Sequence, residues 1–151
     1  MKKAGGVTKE SKKVAKIKSF VNAKKSALQK VKKHTNESII ATNLQTGVLW
    51  NSKAGLKDIL NHSVTTEELK TALQLSKNID KFKFIRISPL GEGKDLFNPL
   101  DVINISKKRD RGIVQFNLYE VEIKGKTYYI KTAQNRKHGG YEELYTYTKK
   151  P

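Results

Sequence analysis

The stretch IVQFNLYEVEIKGKTYYIKTAQNRKHGGYEELYTYT, residues 113–148, decides the fold. Val114, Phe116 and Leu118 alternate with polar neighbours, and the apolar phase then moves to Tyr119, Val121 and Ile123. A two-residue period of this kind is a half-buried strand, and the change of phase implies a bulge or a shift of burial near Leu118 and Tyr119. Lys124-Gly125 supplies a tight turn, residues 127–133 form the return strand, and after a loop over residues 136–140 a last strand runs over 141–148. Three consecutive antiparallel strands follow.

Working outward, Phe82, Phe84, Ile85 and Ile87 read as a further strand, stopped by Pro89. Residues 90–112 contain Gly91, Gly93, Pro99 and the basic cluster Lys107-Lys108-Arg109, and are expected to be a long loop with one helical turn. Upstream, residues 39–42 and 48–50 form a hairpin around Thr46-Gly47. Ser52 then caps a short helix carrying Leu56, Ile59 and Leu60 that ends near Asn61-His62. Thr65 and Glu68 make a capping box for a second helix with Leu69, Ala72, Leu73 and Leu75 near one face. The expected class is α+β, with N-terminal helices packed on a C-terminal antiparallel sheet of about four strands spanning 34–151. No internal repeat of 20 to 50 residues is present.

The chain has 151 residues, 31 Lys and Arg against 14 Asp and Glu, and a net charge of +17. Residues 1–33 hold 12 lysines and a single acid, Glu10, for +11, whereas residues 34–151 carry +6. Val14, Ile17, Val21, Leu28 and Val31, with Phe20 beside them, recur at helical spacing among those lysines, so 1–33 reads as a basic amphipathic helical extension. It can pack its apolar stripe on the body, lie along a nucleic-acid backbone or rest on a membrane surface. The charge points to a polyanionic partner, with RNA or DNA as the default. No run is long enough to span a membrane, and no export signal is visible after Met1, so action in the cytoplasm is expected, that of a target cell if the domain is delivered. The absence of cysteine excludes disulfides, thiolate metal sites and a Cys nucleophile.

No phosphate-cradling glycine loop, HExxH or clustered His and acid set is present, and the acids occur singly or as surface pairs such as Glu67-Glu68 and Glu142-Glu143. No metal or cofactor is therefore expected. RNA offers chemistry that needs neither, because its own 2′-hydroxyl can attack the adjacent phosphodiester, given a base, an acid and cations for the charge on phosphate. His62, at the end of the short helix, reads as a candidate base or acid or as a plain capping residue. His138 lies in the cationic loop with Arg136, a hairpin loop or a substrate-binding one. Lys131, Thr132, Tyr145, Thr146 and Tyr147 stand on neighbouring strands, and rings there either fill the core or stack on bases.

The order of elements, together with IIATNLQTGVLWNSKAGLKDILNH over 39–62 and FNLYEVEIKGKTYYIK over 116–131, resembles the small metal-independent ribonuclease fold shared by barnase, EndoU, colicin-type tRNases and RelE. Within that superfamily the chain looks most like the nuclease domains of phage-head proteins and polymorphic bacterial toxins. The resemblance implies RNA cleavage by 2′-hydroxyl attack, often of tRNA, and an acidic immunity protein as partner. By position it assigns the helix-end histidine to His62, the cation at the helix start to Lys53, and the last-strand hydroxyls to Thr146 with Tyr145 or Tyr147. Lys131 would hold phosphate beside Lys53. The rival expectation is a noncatalytic RNA- or DNA-binding module, with the lysine helix on the backbone and the tyrosine sheet on the bases.

Overall fold

The computed structural model describes residues 9–149; the first eight residues of the basic extension lie outside them. The elements are α1 (Lys9–Lys32), β1 (Glu37–Ile40), β2 (Val48–Asn51), α2 (Lys53–Asn61), α3 (Thr66–Ala72), a 3-10 helix (Leu75–Lys81), β3 (Lys83–Pro89), α4 (Pro99–Asp110), β4 (Ile113–Ile123), β5 (Lys126–Asn135), a 3-10 turn (Arg136–His138) and β6 (Tyr141–Thr148). The α+β class holds, but the sheet has six strands in the order β1-β2-β6-β5-β4-β3 and is mixed rather than four-stranded and antiparallel. The N-terminal hairpin joins it because β2 runs parallel to β6, with Leu49 opposite Glu142.

The caps form where the side chains demand them. Ser52 accepts from Gly55 N to start α2, and Thr65 accepts from Glu68 N to start α3. Residues 90–112 depart from the expected loop, since they hold the twelve-residue α4, begun by Asn98 accepting from Leu100 N with Pro99 in the first turn. Only Ile105 of α4 is buried, so the helix carries no apolar stripe that periodicity could reveal. At Leu118 and Tyr119 the burial does shift. β4 stays in register with β5 there, and the extra residue is Ile85 on β3, between the pairs Phe84–Tyr119 and Arg86–Leu118.

The main core lies on one face of the sheet. Tyr119, Val121 and Ile123 of β4, Tyr128 and Ile130 of β5, Leu144 of β6 and Leu49 of β2 meet Leu56, Ile59 and Leu60 of α2, Leu69 and Ala72 of α3, and Leu75, Ile79 and Phe82. Full burial of such side chains contributes about 1.5–3 kcal/mol each. Ala27 and Val31 anchor the C-terminal half of α1 in this core, while Val14, Ile17 and Val21 are exposed along its N-terminal half.

A polar cluster is sealed into the same layer. The Glu142 carboxylate is 0% exposed and accepts from Asn117 Nδ2 at 2.9 Å, Tyr119 OH at 2.5 Å and Thr132 Oγ1 at 2.7 Å through Oε1. Its Oε2 accepts from Thr46 N at 3.0 Å and Thr46 Oγ1 at 2.7 Å. Burial above all, with the Glu142 carboxylate adding to it, pushes the Tyr119 phenol far up, so the ring keeps its proton and donates. The same hydroxyl accepts from Gln45 N at 2.8 Å. The β1–β2 loop is thereby tied to three central strands, which fixes where β2 and α2 sit on β6.

Candidate functional site

On the opposite, outer face a second small cluster of Ile113, Phe116 and Ala133, with Leu90 and Tyr145 packed on it, supports a band of polar and cationic side chains. Strand alternation assigns the members. Ala133 is opposite Phe116 and Glu143, and Lys131 is opposite Leu118 and Thr146, so all stand on this face. An irregularity in β6 between the pairs Lys131–Thr146 and Thr132–Leu144 leaves Tyr145 on the same side.

His62 caps α2 at the edge of this face. Its Nδ1 lies 2.7 Å from Asp58 O and 3.2 Å from Tyr145 O, two acceptors that place a hydrogen on Nδ1 and leave Nε2 as the lone-pair nitrogen of the neutral ring. The imidazole packs on the Tyr145 ring at 5.4 Å between centroids. Tyr145 in turn meets Phe116 at 4.8 Å. Asp58 also pairs with Arg111 at 2.9 Å, a bridge from the C-terminal cap of α4 to α2. Burial pushes the Tyr145 phenol up, opposed by Arg111 and reinforced by Asp58.

His138 occupies the neighbouring position. Glu143 is 8% exposed, and its Oε1, which makes no hydrogen bond of regular geometry, sits 2.5 Å from His138 Nδ1. The His138 imidazole is thus the polar group that faces this sealed oxygen. Glu143 Oε2 accepts from Ser52 Oγ at 3.4 Å, and Trp50 stacks on the His138 ring at 5.6 Å and 25°. The pair Glu142-Glu143, expected on a surface, is instead buried on both sides of β6. Strand alternation sends one carboxylate into the main core and the other under His138. Glu143 and Tyr145 are two residues apart on one strand, about 7 Å, so the partners of the two histidines are adjacent.

Two lysines complete the band. Lys108 of α4 and Lys131 of β5 stand 5.6 and 5.5 Å from the centre of the Phe116 ring. Neither forms an ion pair among the described residues. Burial pushes both ammonium groups down; Lys94, Lys131 and Arg111 add repulsion at Lys108, while at Lys131 the pull of Glu92 is countered by Arg86 and Lys94. Glu92 is itself committed to Arg86 at 2.9 Å and to Ser88 Oγ at 2.5 Å. Crowded, part-buried cations without a paired carboxylate create a local positive field that an anion relieves.

Of the residues singled out from sequence, His62, His138, Lys131, Tyr145 and Thr146 come together on this face. Lys53 stands at the opposite end of α2 from His62, about 13 Å along a nine-residue helix. Tyr147 faces the helices, where its hydroxyl donates to Glu68 O at 2.8 Å. Burial pushes that phenol far up. Arg136 turns to the C-terminal end of α4 and donates to Arg109 O at 3.1 Å. Lys108, Arg111, Asp58, Glu143 and Trp50 were not singled out for the site. Only the Lys107-Lys108-Arg109 cluster drew attention by composition.

Among the described residues no group of three or more His, Asp or Glu side chains converges as metal ligands, and no helix is long and apolar enough to cross a membrane. In comparisons with known proteins no family model, no curated protein and no solved structure matches the chain.

Proposed function

We propose that the chain is a metal-independent endoribonuclease of the toxin type, cleaving RNA, with tRNA as a leading substrate, by attack of the 2′-hydroxyl in the cytoplasm. One observation carries the reading. Two histidines flank adjacent positions of β6, each with Nδ1 against an acceptor and Nε2 without a hydrogen-bond partner among the described residues, beside two part-buried lysines. A transesterification needs those groups. One imidazole removes the 2′-hydroxyl proton as the 2′-oxygen bonds to phosphorus, and the other protonates the 5′-oxygen as its bond to phosphorus breaks. Lys108 and Lys131 take up the charge that builds on the phosphoryl oxygens. The products are a 2′,3′-cyclic phosphate and a 5′-hydroxyl. Such a domain would harm the cell that makes it, and with +17 on the chain the inhibitor expected is acidic.

The test is incubation of the protein with total RNA and, separately, with single-stranded DNA in EDTA. Discrete RNA fragments and intact DNA are expected. Tight binding with both nucleic acids intact would leave a noncatalytic RNA-binding module on the same face.

Lys108→Gln and Lys131→Gln follow from the same arrangement. Each is expected to weaken RNA binding and to lower the slope of log affinity against log salt by about 0.7, one released counterion on a single strand. Neither should lower the urea midpoint, since each removes a charge that burial disfavours. An unchanged slope would remove that lysine from the phosphate contact.

A further inference from the structure

Far from this site, on the helix side of the sheet, a groove of about 620 Å³ is lined by Lys30, Lys70, Lys77, Lys124 and Lys126, with Glu67 as its single acid. These lysines come from α1, α3, the 3-10 helix and the β4–β5 hairpin, so the fold, and no local charge run, gathers them. Glu67 is already paired with Lys126. Lys30, Lys70 and Lys77 form no ion pair among the described residues, and Lys124 stands between this groove and the next. An adjoining groove of similar size shows that this is not a general property of a basic chain, because there Lys81, Lys83 and Lys124 are balanced by Asp80, Glu120 and Glu122. The floor of the cationic groove is apolar, formed by the buried Ile123 and the half-buried Leu73.

We infer that this groove is a second nucleic-acid contact, a track for the phosphate backbone of the same RNA whose scissile bond lies on the outer face. The inference rests on the ribonuclease reading for the identity of the ligand. Physical reach supports it. Lys126 and Lys131 lie on the same strand, five residues and roughly 17 Å apart, on opposite faces of the sheet. A strand or hairpin of RNA several nucleotides long can pass round the end of β6 and touch both, and a dinucleotide cannot. The three unpaired lysines, Lys30, Lys70 and Lys77, would each release a counterion on binding and add affinity without reading sequence. The groove therefore makes the protein a reader of RNA length and bulk, while the site on the outer face accepts any short stretch.

The experiment uses the full chain carrying Lys30→Gln, Lys70→Gln and Lys77→Gln together, compared with the wild type and with the triple Lys→Arg variant as a fold and charge control. Affinities for 2′-O-methyl oligonucleotides of 4 and 20 nucleotides are measured over a range of salt, which separates binding from cutting. For the 20-mer the Gln variant should lose about 2 from the salt slope, roughly 0.7 for each of three contacts. The 4-mer slope should be unchanged, and the Arg variant should match the wild type on both. Equal loss for both lengths, or none for either, would overturn the inference. Unchanged 20-mer binding accompanied by loss of poly-glutamate binding would assign the groove to an acidic protein and would also overturn it. A wild type that fails to cut RNA but shows the length-dependent slope would refute the ribonuclease reading and leave the groove standing.

Discussion

His62→Ala is expected to lower the rate of RNA cleavage by about 10²–10⁴-fold while the protein stays folded. The size follows from what a positioned proton-transfer group contributes, and the specificity from geometry. His62 is solvent-exposed at the end of α2, and its removal from the fold costs only a contact with the Tyr145 ring and bonds to two carbonyl oxygens. Those carbonyls are left facing water. His138→Ala should have an effect of the same order, and Glu143→Gln a smaller one, because the amide can still approach the ring but no longer accepts through both oxygens. If the two histidines act as base and acid in one reaction, the double variant should be little worse than either single one, since each already removes the concerted step. The measurement is the initial rate on a defined RNA with circular dichroism as a control on folding. Wild-type rates in His62→Ala would move the chemistry elsewhere on the face.

Glu142→Ala is expected to cost roughly 4 kcal/mol or more of stability, at the upper end of what single substitutions do. It removes the acceptor shared by Asn117, Tyr119, Thr132 and Thr46, and each buried donor left without a partner costs about 1–3 kcal/mol. A cavity adds to this. Glu142→Gln keeps the volume and one acceptor oxygen but turns its amide hydrogens toward donors, so a loss of about 2 kcal/mol is expected. Urea unfolding gives both values. Loss of less than about 0.5 kcal/mol in both variants would show that the cluster does not hold the β1–β2 loop to the sheet. Substitution of Glu143 makes the contrast, because the next residue along the strand serves a ring on the other face and not the core.

Much of this was written locally in the chain. The strands of residues 113–148 alternate plainly, and the caps at Ser52 and Thr65 sit where the side chains can reach a free backbone N–H. What stayed hidden was set by tertiary partners. The N-terminal hairpin enters the sheet through the parallel pair Leu49–Glu142, a contact 93 positions apart that no local period encodes. Helix α4 buries only Ile105, so it left no stripe. In the site, His62, Lys131 and Tyr145 were legible as residue types suited to RNA chemistry on elements that meet. Glu143 was not, because beside Glu142 it resembles a solvated acidic pair, and only the two-sided burial of β6 separates their roles. Lys108 was visible as part of a charge run but not as the partner of Lys131 across Phe116, which requires the helix that the sequence concealed.

The most direct test of the central claim is the chemistry of the cut ends. RNA incubated with the protein in EDTA should yield fragments bearing a 2′,3′-cyclic phosphate and a 5′-hydroxyl, and a substrate with a single 2′-deoxy nucleotide at the cut position should survive there intact. Ends bearing a 5′-phosphate, or cutting that ignores the 2′-deoxy substitution, would contradict attack by the 2′-hydroxyl and the roles given to His62, His138, Lys108 and Lys131.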